Sequence, residues 1–215
     1  MHEKRTDPIM SRGFLVLLAI LAIAFAAITG LAVKNGVLGP AQQTATVGGP
    51  FHMVDQAGRP ADEALLKGKW SAVFFGYTNC PDACPTTLFA LAGAERQLGA
   101  KATDFQTVFV SVDPARDTPA KLASYLSNPA FPRRALGLTG SPQQVAQTAK
   151  AYKVFYQTAP DANDPASYNV NHSTFTYLMN PKGRFACVIA YNASPQEIAT
   201  HVKAAMAQGS GAESC

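Results

Sequence analysis

Residues 71–86 read Ser71-Ala-Val-Phe-Phe-Gly-Tyr-Thr-Asn-Cys80-Pro-Asp-Ala-Cys84-Pro-Thr86. The part up to Tyr77 is short, apolar and aromatic, as expected of a strand that is covered on both faces. Pro85 fits the first position of a helix, and the apolar residues that follow it recur at helical spacing. A buried strand that leads directly into a helix is typical of an α/β fold.

The rest of the chain continues this alternation of strands and helices. We predict strands at 105–112, 136–139, 154–157, 173–180 and 184–191, and a short hairpin formed by 51–54, a turn at 55–58 and the polar residues that follow. We predict helices at 119–127, 142–152 and 195–207, and the last two begin at capping boxes, Ser141 with Gln144 and Ser194 with Glu197. This order predicts a mixed sheet flanked by helices.

The N-terminal region contains one long apolar segment. Residues 14–33 carry no charge, and as a helix this segment would span roughly 30 Å, the thickness of a bilayer core. A cleavable signal peptide would have a shorter apolar core, so we expect an uncleaved transmembrane helix. Basic residues precede the segment, which predicts a cytoplasmic N-terminus and an extracytoplasmic soluble domain. The predicted organisation is cytoplasmic segment 1–13, anchor 14–33, linker 34–49, domain 50–207 and flexible tail 208–215.

Charge excludes one class of partner. The chain of 215 residues has a formal net charge of +4. Half of this charge lies in residues 1–34 and half in the remaining chain, where the lysines are scattered. Nucleic-acid binding needs a concentrated basic face, so we expect no nucleic-acid partner.

Cys80 and Cys84 lie where the predicted strand ends and the helix begins. Because a residue before proline avoids helical angles, we predict Cys84 as the N-cap, with the free N–H groups of Thr86 and Thr87 directed at its sulfur and favouring a thiolate. Two cysteines at this spacing could form a disulfide or bind one soft ion. A structural disulfide closing so short a loop would stabilise weakly. A structural zinc site lacks a second ligand pair.

His172 is the candidate third ligand. His2 lies in the predicted cytoplasmic segment, His52 near the linker and His201 on the terminal helix, whereas position 172 precedes a predicted hairpin strand. Two thiolates and one imidazole would form a three-coordinate site suited to Cu(I). The alternative is that His172 is an ordinary surface or core histidine.

The other two cysteines receive no functional role from the sequence. Cys187 lies within an apolar strand segment, where a cysteine is most often a small buried hydrophobic residue. Cys215 is the last residue, so we expect it to be mobile and open to adventitious oxidation or cross-linking, and we assign it no role.

Three segments, 75–86, 110–119 and 170–183, together resemble the Sco/SenC family, and the resemblance extends over about residues 50–207. It implies a thioredoxin-like fold on a single-pass inner-membrane anchor, with the domain on the periplasmic side. It also implies delivery of copper to the binuclear copper site of cytochrome c oxidase subunit II. The ligands implied by the motif match are Cys80, Cys84 and His172, for Cu(I) with Cu(II) as a further candidate; the copper donor is not indicated.

The same resemblance leaves a second function open. Family members are also discussed as thiol-disulfide reductases of the oxidase cysteines, in which Cys80 and Cys84 would be the redox pair. The sequence departs from the family pattern at Asn171, where aspartate is usual, so support of the neighbouring imidazole by a charged residue is in doubt. Asp113 and Arg116 match the second segment, and we interpret them as a charged loop at another strand exit.

Overall fold

The computed structural model describes residues 12–34, 47–160, 164, 167–212 and 214–215. The described residues fall into two compact units, one within Met1–Ala45 and one within Thr46–Cys215. The first unit contains helix α1, Arg12–Lys34, in which Gly13–Leu31 is long and apolar enough to cross a membrane by length and composition. The apolar helix is confirmed, and its role as an anchor stays a prediction. Most of the predicted cytoplasmic segment and linker lies outside the described residues.

The second unit is built on a seven-stranded mixed sheet. Its central strands β3, β4 and β5 are parallel, and the outer strands pair antiparallel, in the order β2-β1-β5-β4-β3-β8-β9. The strands of the unit are β1 His52–Asp55, β2 Pro60–Asp62, β3 Trp70–Gly76, β4 Phe105–Ser111, β5 Leu136–Thr139, β6 Tyr156–Pro160, β7 Tyr168–His172, β8 Thr176–Met179 and β9 Phe185–Ile189. The predicted mixed sheet and the hairpin β1–β2 are confirmed.

Helices flank this sheet, as the sequence predicts. They are α2 Ala83–Leu98, α3 Pro119–Leu126, α4 Pro142–Ala151 and α5 Pro195–Ala207. Both predicted capping boxes are present, at the starts of α4 and α5. Every residue of β3 and β4 is buried, and the core forms two hydrophobic clusters, one including Trp70 with parts of α2 and α5 and the other including Phe75 with parts of α3 and α4.

The segment around His172 differs from the prediction. Its strand β7 pairs antiparallel with β6 in a separate two-stranded sheet, with Tyr156 opposite His172. The strand expected at 154–157 begins at Tyr156, and the strand expected from 173 begins at Thr176. Most residues of β6 and β7 are partly or fully exposed, so the apolar alternation that marks a sheet strand is weak there. We refer to β6 and β7 as the histidine ribbon.

The expectations of an unpaired Cys187 and of a mobile Cys215 are wrong. The two residues form a disulfide with a Cα–Cα distance of 5.9 Å and a sequence separation of 28. The chain after α5 turns back toward the sheet, where Ala212 is buried and its carbonyl accepts a hydrogen bond of 3.0 Å from the Asn180 side chain. The described part of the expected flexible tail is therefore attached to the domain. Sequence spacing alone could not indicate this pair, because the contact depends on how the chain folds back after α5.

Candidate metal centre

The two cysteines occupy different environments at the junction of β3 and α2. Cys80 lies in the loop and is partly exposed, whereas Cys84 is the second residue of α2 and is fully buried. The N–H of Cys84 points to the Cys80 sulfur at 3.4 Å. The predicted capping role of Cys84 is wrong, because α2 begins at Ala83 and accommodates Pro85 within its first turn, where the backbone N–H would be unpaired in any case. Cys80 therefore faces the helix N-terminus.

This geometry shifts the pKa values of the two thiols in opposite directions. Hydrogen bonding from the Cys84 thiol, with further donation from the backbone N–H groups of Cys84 and Asp82, lowers the pKa of Cys80 to about 4 against the effect of burial. Burial and the neighbouring Cys80 thiolate raise the pKa of Cys84 well above its ordinary value. The reduced pair is thus one thiolate and one thiol at neutral pH.

His172 ends the histidine ribbon with its ring directed at the sulfurs. Its Nε2 lies 3.7 Å from the Cys84 sulfur, and its Nδ1 lies 2.9 Å from the Ser173 carbonyl oxygen. A carbonyl oxygen only accepts hydrogen bonds, so we assign the proton to Nδ1, which leaves the Nε2 lone pair facing the cysteines. This hydrogen bond goes to the main chain, and the side chain of Asn171 is exposed. The tautomer is therefore set without a carboxylate at position 171.

The three ligand atoms of Cys80, Cys84 and His172 all lie within 4.8 Å of one another. Metal bonds to thiolate and imidazole are about 2.0–2.3 Å long for zinc. Trigonal ligands at similar bond lengths would lie about 3.5–4 Å apart, so only a small contraction would close the site around one ion. The sequence-predicted ligand set is thus brought together, whereas His52 and His201 lie exposed on β1 and α5.

Close packing fixes both halves of this group. A Cβ atom at Gly76 would lie 2.6 Å from the Cys84 sulfur, so glycine is needed where the thiol rests on the end of β3. Tyr77 and Phe74 place their rings edge-on to the imidazole, with centroid distances of 5.8 and 6.2 Å. The aromatic rings restrict the orientation of His172 and cover one side of the site. The sequence quoted first contains Gly76, Tyr77 and Phe74, but their contacts with Cys84 and His172 follow only from the tertiary structure.

The fold and the site together define a thioredoxin-like protein whose dithiol is joined by a histidine in a group that could hold a soft metal ion. The chain belongs to the SCO1/SenC family, whose model matches residues 39–207.

Individual relatives agree with this assignment. The chain is 40% identical over 163 residues to "Protein SCO1, mitochondrial" of Saccharomyces cerevisiae, covering 74% of this chain and 55% of that protein. It is 40% identical over 168 residues to "Protein SCO2 homolog, mitochondrial" of Homo sapiens, covering 77% of this chain and 62% of that protein. The solved structure of Bradyrhizobium japonicum ScoI with copper bound superposes with a TM-score of 0.65 at 40% identity, covering 72% of this chain and 96% of that chain.

Proposed function

We propose that this protein is a copper chaperone for cytochrome c oxidase assembly, and that it delivers copper to the binuclear site of subunit II. The observation that carries the proposal is that the ligand atoms of Cys80, Cys84 and His172 lie within 4.8 Å of one another at the N-terminus of α2. A relative of 40% identity was solved with copper bound, which supports copper as the cargo.

The donor set suits Cu(I) and its onward transfer. Two sulfurs and one imidazole nitrogen are soft or borderline ligands, and Cu(I) accepts a low coordination number. Cys84 is buried, whereas Cys80 is partly exposed, so an acceptor ligand can approach the ion from the Cys80 side. Ligand exchange beginning at Cys80 would release copper without opening the core.

A second candidate, a thiol-disulfide reductase, has support in the same asymmetry. The Cys80 thiolate could attack a substrate disulfide and form a mixed disulfide, which expels one substrate thiolate. Cys84 would then lose its proton and attack the Cys80 sulfur, so that the second substrate thiol leaves and the protein keeps a Cys80–Cys84 disulfide. However, a strongly lowered pKa of Cys80 stabilises the reduced pair, and such a pair donates electrons poorly. We therefore rank copper transfer above reduction.

The location of the protein is part of the proposal. Helix α1 would span the inner membrane once, with the N-terminus in the cytoplasm and residues 50–207 on the periplasmic side. Residues 34–49 would then connect the anchor to the domain.

Competitive Cu(I) titration against a chelator tests the ligand set. The reduced protein should bind one copper per chain, and replacing either Cys80 or Cys84 with alanine should nearly abolish binding. His172→Ala should weaken binding by at least about 100-fold, beyond the usual effect of losing an outer partner of a ligand. His201→Ala is the matched control, because this histidine is exposed on α5. Parental affinity in His172→Ala would refute the third ligand.

A reduction-potential measurement separates the two candidate functions. We expect the Cys80–Cys84 couple to be more oxidising than the glutathione couple, because the thiolate form is stabilised. A strongly reducing potential together with weak copper binding would favour the reductase.

A further inference from the structure

One short loop contacts both halves of the candidate metal centre. It spans residues 113–117, one residue after the end of the buried strand β4, and we refer to it as the bracket loop. We propose that the bracket loop is a positioning device that sets the separation between the cysteine pair and His172. This inference rests on the proposed function and adds residues outside the ligand set to it.

The first arm of the bracket loop is Asp117, which holds the segment that leads from Thr78 to Cys80. Asp117 is fully buried, and its carboxylate accepts hydrogen bonds from the Thr78 backbone N–H (3.0 Å), the Thr78 hydroxyl (2.6 Å) and the Ser111 hydroxyl (2.7 Å). Thr78 lies two residues before Cys80, in the loop that carries this ligand out of β3. These donors are all uncharged, and burial raises the pKa of Asp117. A carboxylate kept buried in this way is costly for the fold, which argues for a positioning role.

The second arm consists of Asp113 and Arg116, which hold Tyr168 at the start of β7. Arg116 forms an ion pair with Asp113, and its Nη1 donates a hydrogen bond of 2.8 Å to the Tyr168 carbonyl oxygen. The guanidinium also lies over the Tyr168 ring, 3.7 Å from its centroid. The Tyr168 hydroxyl donates a hydrogen bond of 2.8 Å to Asp113. Tyr168 is therefore held by its carbonyl, its ring and its hydroxyl.

The second arm matters because the histidine ribbon is not part of the main sheet. Among the described residues, β6 and β7 pair only with each other, so the sheet hydrogen bonds that fix β3 do not fix β7. Tyr168 is the first residue of β7, and His172 is the last. Because β7 is short and extended, fixing the position of Tyr168 also restricts the position of the His172 imidazole.

The bracket loop is compact. Its own backbone hydrogen bonds keep Asp117, which contacts the cysteine segment, close to Asp113 and Arg116, which contact β7. The N–H groups of Arg116 and Asp117 both donate to the Asp113 carbonyl oxygen, at 3.2 and 2.9 Å. The distance between the cysteine half and the histidine half is therefore set across these five residues. Loss of either arm should leave the three ligands present but misplaced.

A double-mutant cycle with Cu(I) affinity as the readout tests the histidine arm. Arg116→Ala should weaken binding by about 10- to 100-fold, the usual cost of losing an outer partner of a metal ligand. In the His172→Ala background the same change should cost less than about 2-fold, because Arg116 acts through His172. Arg59→Ala is the matched control, since it breaks the Arg59–Asp55 ion pair in the β1–β2 turn. It should change the affinity by less than about 2-fold.

The cysteine arm is tested with a conservative pair of variants. Asp117→Ala should weaken binding both with and without His172, because it acts through Cys80. The conservative variant Asp117→Asn should keep most of the parental Cu(I) affinity. Its amide oxygen can accept from the Thr78 N–H and the Ser111 hydroxyl, and its NH₂ can donate to the Thr78 hydroxyl oxygen.

Amide hydrogen exchange of the copper-free protein gives a readout that does not depend on the metal. Arg116→Ala should lower protection at residues 168–172 and leave β4 protected, whereas Arg59→Ala should leave both regions unchanged. Unchanged exchange in the ribbon, or an equal affinity loss with and without His172, would overturn the positioning role. If the parent protein binds no copper, the proposed function fails, and the exchange experiment still decides whether the bracket loop holds the ribbon.

Discussion

Loading one Cu(I) at pH 8 should release one proton from the protein. Cys80 is already a thiolate at this pH, because hydrogen bonding lowers its pKa to about 4. Cys84 still carries its proton, because burial and the neighbouring thiolate raise its pKa. A metal binds the thiolate form only, so the Cys84 proton must leave when copper binds.

The magnitude follows from this count of protons. Each proton displaced makes the affinity rise about tenfold per pH unit, or about 1.4 kcal/mol. Two ordinary cysteines, with pKa values of about 8.5, would release nearly two protons at pH 7, and the affinity would rise nearly a hundredfold per unit. Between pH 7 and pH 8 we therefore expect a rise of about tenfold for this protein.

An anaerobic titration in weak buffer with an indicator dye measures the proton directly, if copper is supplied as its acetonitrile complex. The His172→Ala variant is the control at a copper concentration that saturates it. It has no imidazole at that position, so it should release the same single proton. Release of two protons would show that Cys80 is protonated in the free protein, and the asymmetry described for the pair would be refuted.

Three substitutions outside the ligand set test which parts of the structure affect copper affinity and which affect only stability. Gly76→Ala should lower both copper affinity and stability, the latter by about 1–3 kcal/mol, because the added Cβ would overlap the Cys84 sulfur; chelator competition and urea unfolding measure the two effects, and parental values in both would contradict the close approach. Cys215→Ser should lower the free energy of unfolding by about 3.5 kcal/mol through loss of the bond to Cys187, with copper affinity unchanged. Ser141→Ala should cost about 1 kcal/mol by removing the cap of α4, again with unchanged copper affinity; a loss of copper binding in this variant would mean that α4 contributes to the site.

Much of the fold is predictable from local patterns. Strands β3 and β4 contain short apolar runs, at 72–75 and 108–110, and α4 and α5 begin at capping boxes that the structure reproduces. In these elements the signal is contained within a few neighbouring residues. The histidine ribbon lacks such a signal, because its residues are mostly exposed and it pairs only with itself in the described part of the chain.

The ligand set and its chemistry differ in how far the sequence determines them. Spacing makes His172 one candidate to join Cys80 and Cys84, the family resemblance implies all three as ligands, and the structure brings these side chains together. The assignment of the thiolate to Cys84 fails, because α2 begins at Ala83 and places that sulfur in the core. Acidity depends on burial and on partners distant in sequence, and neither can be obtained from local spacing.

The separate pairing of the histidine ribbon has an evolutionary consequence. Cys80 and Cys84 belong to the junction of the main sheet with α2, whereas His172 is carried on strands outside that sheet. Substitutions at the exposed positions of the ribbon can therefore change how His172 is presented without altering the residues of the dithiol or the strands of the main sheet.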